Sequence, residues 1–252
     1  MRIVRWSGPP NFGDDLNMYL WPKLLTLAIN EYLPDSRFYG IGSILGAHMS
    51  PASHYVVFGA GAGYTGQPTF PSPTKTYFVR GPLTARSIGN VPYITDPGIL
   101  VRRFFKKADP IYPVSFMPRW NSMGSEFEEQ FRKTGFHLID PRQDVVTVME
   151  AIASTGLLLT EALHGAICAD AIRVPWISIR AQDHSDFKWY DWCGSMNMVW
   201  NPIDAVNLGL TWARDYAVPQ LSAASVLESK TDKMLTAIDR FNHDVIHDEV
   251  FV

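Results

Sequence analysis

Short apolar runs separated by polar, glycine-rich turns recur along the first hundred residues. Arg2 to Trp6, Phe38 to Ile41, Tyr55 to Phe58, Thr76 to Val79 and Tyr93 to Thr95 have the length and side-chain type of strands, with helical patterns between some of them. The pattern then restarts. Ile111 to Phe116, Phe136 to Ile139, Gly156 to Thr160 and Trp176 to Ile179 read as a second set of strands, with Val145 to Ala153 and Leu163 to Ile172 as helices. Such alternation predicts parallel sheet covered on both faces, in two successive α/β units, residues 1–108 and 109–252. A first helix is expected to begin after Asp14-Asp15, with Pro22 breaking it or opening a second one. From Ser225 onward Leu227, Met234, Leu235, Ile238, Phe241 and Val245 recur at near-helical spacing. The segment Ser225-Val226-Leu227-Glu228 fits a capping box, so the chain is expected to close on one amphipathic helix.

With 252 residues, 46% of them hydrophobic and 19% charged, both units can have real cores. No apolar run approaches the ~20 residues of a membrane span, and the start is too short in apolar residues for a signal peptide. A cytoplasmic protein is the expectation. A formal net charge of −3 argues against nucleic acid as a partner. Arg102, Arg103, Lys106 and Lys107 form a local basic cluster that reads as a solvated linker or as a contact for anionic lipid head groups or an acidic glycan. Cys168 and Cys193 lack metal-ligand spacing and are expected as buried thiols; no metal site is expected. The proline-rich stretch from Gly66 to Pro73 reads as a connector or as a border of a cleft.

Chemistry concentrates in the segment from Thr160 to Asp170. It follows the apolar run Leu157-Leu158-Leu159 and leads into a small-residue helix, which puts His164 in the first helical turn after a buried strand, where open α/β sheets collect ligands. Gly59-Ala60-Gly61-Ala62-Gly63 invites a dinucleotide reading but fails it: Tyr64 stands where the third glycine belongs, and Lys75 to Arg86 contain no acid for a ribose. Arg80 ends a strand-like run just before Gly81-Pro82, and its planar fork suits a carboxylate or phosphate as well as a salt bridge. Asn11, Asp14, Asp15 and Asn17 offer sugar-type hydrogen bonding, with at least one of the two aspartates expected to serve the helix end instead. Asp96, before Pro97-Gly98, is a turn residue or a cleft carboxylate. Phe187, Trp189, Tyr190, Trp192 and Trp200 are core rings or a stacking surface for sugars.

The ordered set formed by Asn11 to Asn17, Gly40-Ile41-Gly42-Ser43, Gly59 to Gly63, Val79 to Ala85, Asp96 to Leu100, Leu163-His164-Gly165-Ala166-Ile167 and Phe187 to Trp192 resembles the polysaccharide pyruvyl transferase family. The likeness is to its branch acting on bacterial exopolysaccharides of the succinoglycan type, and it spans roughly residues 1 to 200. It implies two Rossmann-like lobes facing each other in the glycosyltransferase-B manner, with the cleft between them. It also implies ketal formation: a pyruvyl group passes from phosphoenolpyruvate, with no cofactor, to two hydroxyls of a sugar, for instance on a lipid-linked oligosaccharide at the inner membrane face.

On this resemblance His164 is the acid, Arg80, Lys188 and Gly61 join it around the donor, and Asn11, Asp14, Asp15 and Asn17 meet the acceptor. The donor's phosphate and Glu161 favour the imidazolium against the opposing helix dipole. The chain departs from the family's pattern at Thr160, where serine is common, and at Ala162, where arginine is common. Two other readings fit the same pattern: a nucleotide-sugar glycosyltransferase of the same architecture, and a non-catalytic glycan-binding member.

Overall fold

A computed structural model describes residues 1–25, 32–46, 49, 51–63, 73–124, 131–180, 185–204 and 209–251. Residues 66–72 of the proline-rich stretch lie outside them. Two parallel four-stranded sheets organise the chain. The first runs in the order β1 (Arg2–Ile3), β2 (Ser36–Tyr39), β3 (His54–Phe58) and β4 (Thr74–Phe78). In the second, β5 (Tyr112–Met117) lies between β6 (His137–Leu138) and β7 (Thr155–Thr160), and β8 (Trp176–Ser178) follows β7. The chain therefore leaves β5 and β7 toward opposite sides of the sheet, which opens a crevice between their carboxyl ends.

Both sheets are apolar on both faces, as parallel sheets must be when helices cover them. Successive side chains of a strand point to opposite faces. Phe38, Val56 and Phe58 accordingly join a large core that also takes Met117 and Leu158 of the second sheet. Tyr39, Tyr55 and Val57 form a separate cluster beneath the first sheet, and Phe116, Leu159 and Ile177 another beneath the second. The large core is shared between the sheets through α1 (Phe12–Leu24), α3 (Val145–Ala153) and α4 (Leu163–Ala171), which pack on one another. The remaining α-helices among the described residues are α2 (Pro82–Ser87), α5 (Asp186–Ser195), α6 (Leu210–Tyr216) and α7 (Ala224–Ile246).

Several local expectations are corrected. Helix α1 begins at Phe12, before the two aspartates, and continues through Pro22 to Leu24. Pro22 costs the helix the bond that an amide there would give the Met18 carbonyl, and the helix ends two residues later. Tyr93 makes an isolated bridge to Val79 instead of starting a strand, and the residues after Asp96 coil into a 3-10 helix, Pro97–Arg103. Helix α7 starts one residue before the proposed capping box; Ala223 is its N-cap, and Glu228 instead accepts from Arg102 at 2.5 Å. Arg102, from the basic cluster, also donates to Thr231, so it ties the 3-10 helix to α7. At its far end α7 lays Phe241 against Phe38 and Phe58, the rings 5.6 and 5.4 Å apart. Asp244 accepts from the Tyr77 hydroxyl at 2.5 Å. Cys168 and Cys193 are buried free thiols, and no helix among the described residues is long and apolar enough to cross a membrane.

Candidate active site

The residue that ends β7 explains how His164 is presented. Thr160 accepts the Ala162 amide on its hydroxyl at 2.9 Å, which turns the chain sharply off the strand and starts α4 at Leu163. His164 is then the second residue of the helix. No side chain caps this helix, and Leu163 and His164 of its first turn line the cavity. The imidazole is 15% exposed, and its Nε2 faces Asp96 Oδ2 at 3.5 Å. Asp96 is fully buried, and its other oxygen accepts the Gly98 amide at 2.8 Å. It is both turn residue and cleft carboxylate. Burial pushes its carboxyl up, but His164, Arg80 and the Gly98 amide outweigh that and hold it below the usual carboxylate value of 3.8.

The opposite edge of the imidazole rests on the first turn of α1. A Cβ on Gly13 would stand 2.1 Å from His164 Nδ1, so only glycine lets the two helices approach this closely. Two helix N-termini, α1 and α4, thus converge on the histidine. Their cavity has a volume of about 420 Å³, and its wall includes Asn11, Asp14, Ser43, Arg119, His164 and Lys188. Asp14 accepts from Asn11 Nδ2 at 2.5 Å. Burial raises the Asp14 carboxyl above 3.8, and Asp15 adds to this, while His164, Asn11 and Lys188 oppose it without cancelling it.

Of the residues singled out from sequence, His164, Lys188, Asn11 and Asp14 share this cavity. Asp15, Asn17, Arg80 and Gly61 do not line it, whereas Ser43 and Ala162 do. Asp15 points away and pairs with Arg5 at 2.6 Å. Asn17 is buried and fixes the loop after β2, donating to the Ile41 carbonyl and accepting the Ile41 amide and the Trp21 indole. Arg80 is 0% exposed. Its Nε donates to Asp191 at 3.1 Å, one terminal nitrogen to Ser43 at 2.8 Å and the other to the Ala62 carbonyl at 3.1 Å. Gly61 lies directly on the guanidinium; a Cβ there would be 2.2 Å from Cζ.

Arg80 thus stands one layer behind the wall. Asp191 also accepts the Leu83 and Thr84 amides, so the pair clamps α5, which carries Lys188 one turn earlier, to the start of α2. Glu161 is corrected as well. It accepts the Arg119 amide at 3.1 Å, and the carboxylate facing the histidine is Asp96. Burial raises Glu161 above 4.5, only partly offset by Ser122 and Arg119. Trp189, Trp192 and Trp200 are core rings.

Sequence reasoning missed Arg119 and Trp120. They follow β5 in a short 3-10 turn, Trp120–Ser122, with no glycine-rich or histidine motif to mark it. The signal that was available is position, since the loop after β5 flanks the sheet's switch point.

No family model matches this sequence. The chain is similar to the succinoglycan biosynthesis protein ExoV of Rhizobium meliloti (strain 1021), with 37% identity over 213 residues, covering 80% of this chain and 67% of that protein. A likeness of that depth and extent places the protein in the family of ExoV, within exopolysaccharide biosynthesis.

Proposed function

We propose that the protein transfers a pyruvyl group from phosphoenolpyruvate to two hydroxyls of a sugar in an exopolysaccharide or its lipid-linked precursor, forming a cyclic ketal, in a cleft between two glycosyltransferase-B-like lobes. The observation that carries this reading is His164 held between buried Asp96 and the first turn of α1, in a cavity with Lys188 and Arg119 on its wall. The donor carries a carboxylate and a phosphate on neighbouring atoms. Two helix N-termini and two cationic side chains match that charge.

In the proposed reaction His164 gives a proton to the vinyl CH₂ carbon of the donor, which becomes a methyl group, and positive charge develops on the adjacent carbon. The first sugar hydroxyl adds to that carbon and loses its proton. The carbon–oxygen bond to phosphate then breaks with the electron pair leaving on phosphate, and the second hydroxyl adds and loses its proton. One hydroxyl proton restores His164; the other departs on phosphate. Asp96 orients the imidazole. Asp14 faces the same space and relays the second hydroxyl's proton to the departing phosphate.

The test is to incubate the protein with phosphoenolpyruvate and lipid-linked oligosaccharide from a bacterial strain lacking this protein. Phosphate release together with a glycan that gains one ketal-linked pyruvate is expected. A glycan that gains a hexose from a nucleotide sugar and nothing from phosphoenolpyruvate would replace this reading with glycosyl transfer.

A further inference from the structure

Two tryptophans stand at the edge of the cavity with no part in the chemistry above. Trp6 follows β1 and Trp120 follows β5, so each comes from the carboxyl end of a strand in a different sheet. Both line the cavity. Their ring centroids are 6.4 Å apart and their planes tilted by 35°. Trp6 is 48% exposed, an expensive place for an indole that serves only packing. Its loop is shaped to present it: the ring folds over Gly8, where a Cβ would lie 2.3 Å from the indole, and Pro9-Pro10 stiffen the chain that follows.

We infer that Trp6 and Trp120 form the acceptor platform, on which the apolar C–H face of a pyranose ring rests while its hydroxyls point inward to Asp14 and His164. The rings are too close for a sugar to enter between them, so it lies across the shallow V that they form. Indoles supply broad apolar area at little conformational cost, with an N–H for hydrogen bonding at the rim. The rest of the wall fits a division of labour. Lys188, Arg119 and the helix N-termini suit an anion, whereas the tryptophan edge offers no charge to hold one. A platform built from both sheets also makes sugar binding sensitive to how they sit relative to each other. This inference rests on the pyruvyl transfer reading for which sugar is bound and why, but not for whether a sugar binds there.

The experiment uses the full chain labelled with 5-fluorotryptophan. The Trp6 and Trp120 resonances are assigned from Trp6→Phe and Trp120→Phe, and titrations are run with cellotetraose, lactose, mannobiose and, separately, phosphoenolpyruvate. At least one oligosaccharide should move both resonances, and phosphoenolpyruvate should move them far less. Trp6→Ala and Gly8→Ala should each weaken that oligosaccharide about tenfold while leaving phosphoenolpyruvate affinity within about twofold. If no oligosaccharide moves either resonance, or if phosphoenolpyruvate moves them as strongly, the platform is overturned. Oligosaccharide binding at the two rings in a protein that does not bind phosphoenolpyruvate would leave the platform standing and defeat the pyruvyl transfer reading instead.

Discussion

His164 Nε2 and Asp96 Oδ2 face each other at 3.5 Å, the carboxylate wholly buried and the imidazole open to the cavity. The pair joins the two halves of the chain, since Asp96 precedes the 3-10 helix that follows the first sheet and His164 opens the helix after β7. Asp96→Asn keeps the shape and removes the carboxylate that holds the imidazole in place. The kcat for phosphate release should fall more than KM for phosphoenolpyruvate rises. An unchanged kcat would show that Asp96 does not act through the histidine.

Loss of His164 itself should remove transfer and also lower stability, because the fully buried Asp96 carboxylate loses the partner that most favours its charge. His164→Ala is expected to lower the rate by about 10²–10⁴. Gly13→Ala should approach the same loss by a different route, since its methyl claims the space of Nδ1. Phosphate release, with thermal melts to show both variants folded, checks the pair.

Arg80 belongs to the scaffold. Removing one partner of a buried ion pair typically costs about 3–5 kcal/mol because the other charge is left without compensation. Arg80→Met should therefore lower the melting temperature by on the order of 10 °C for a chain of this size. Lys188→Met and Arg119→Met should leave the melt nearly unchanged and weaken phosphoenolpyruvate at least tenfold. Calorimetric titration beside a thermal melt separates the groups; a stable Arg80→Met protein that fails to bind the donor would reverse this assignment.

Asp14 and Asp96 should shift stability in opposite directions. The Asp96 carboxyl lies below its ordinary value in the folded protein, so its contribution is present above 3.8 and is lost as pH falls through the lower folded value. The Asp14 carboxyl lies above its ordinary value, so its ionisation costs stability as pH rises from 3.8 through the raised folded value and the cost persists above it. At neutral pH, Asp96→Asn is expected to destabilise and Asp14→Asn to stabilise. Denaturant unfolding at pH 7 tests both signs.

Sheet and helix content was legible because buried parallel strands leave dense apolar runs, and Phe38, Val56, Phe58, Leu158 and Leu159 sit where that pattern requires. His164 was legible for a related reason, as a polar residue placed just past such a run. Arg80 was harder to read. A guanidinium at a strand end looks the same in sequence whether it meets a ligand or Asp191, more than a hundred positions away. Arg119 and Trp120 carried no local motif, and only strand order marks their loop. Pro22 misled because the core packing of Phe12, Leu16, Leu20 and Trp21 carries the helix two residues past a proline that local rules would have ended it at.

The closing helix bears on how the chain is made. Helix α7 reaches back to the first sheet, where Phe241 covers Phe38 and Phe58 and Asp244 binds Tyr77. On the ribosome those rings emerge well before the helix that covers them, so the first sheet's core cannot close until α7 has been translated. An aromatic face is left waiting until then, and nascent chains stalled before residue 224 should be open to proteases and to chaperone capture at that sheet. For this pair of elements the order of synthesis and the order of assembly run in opposite directions.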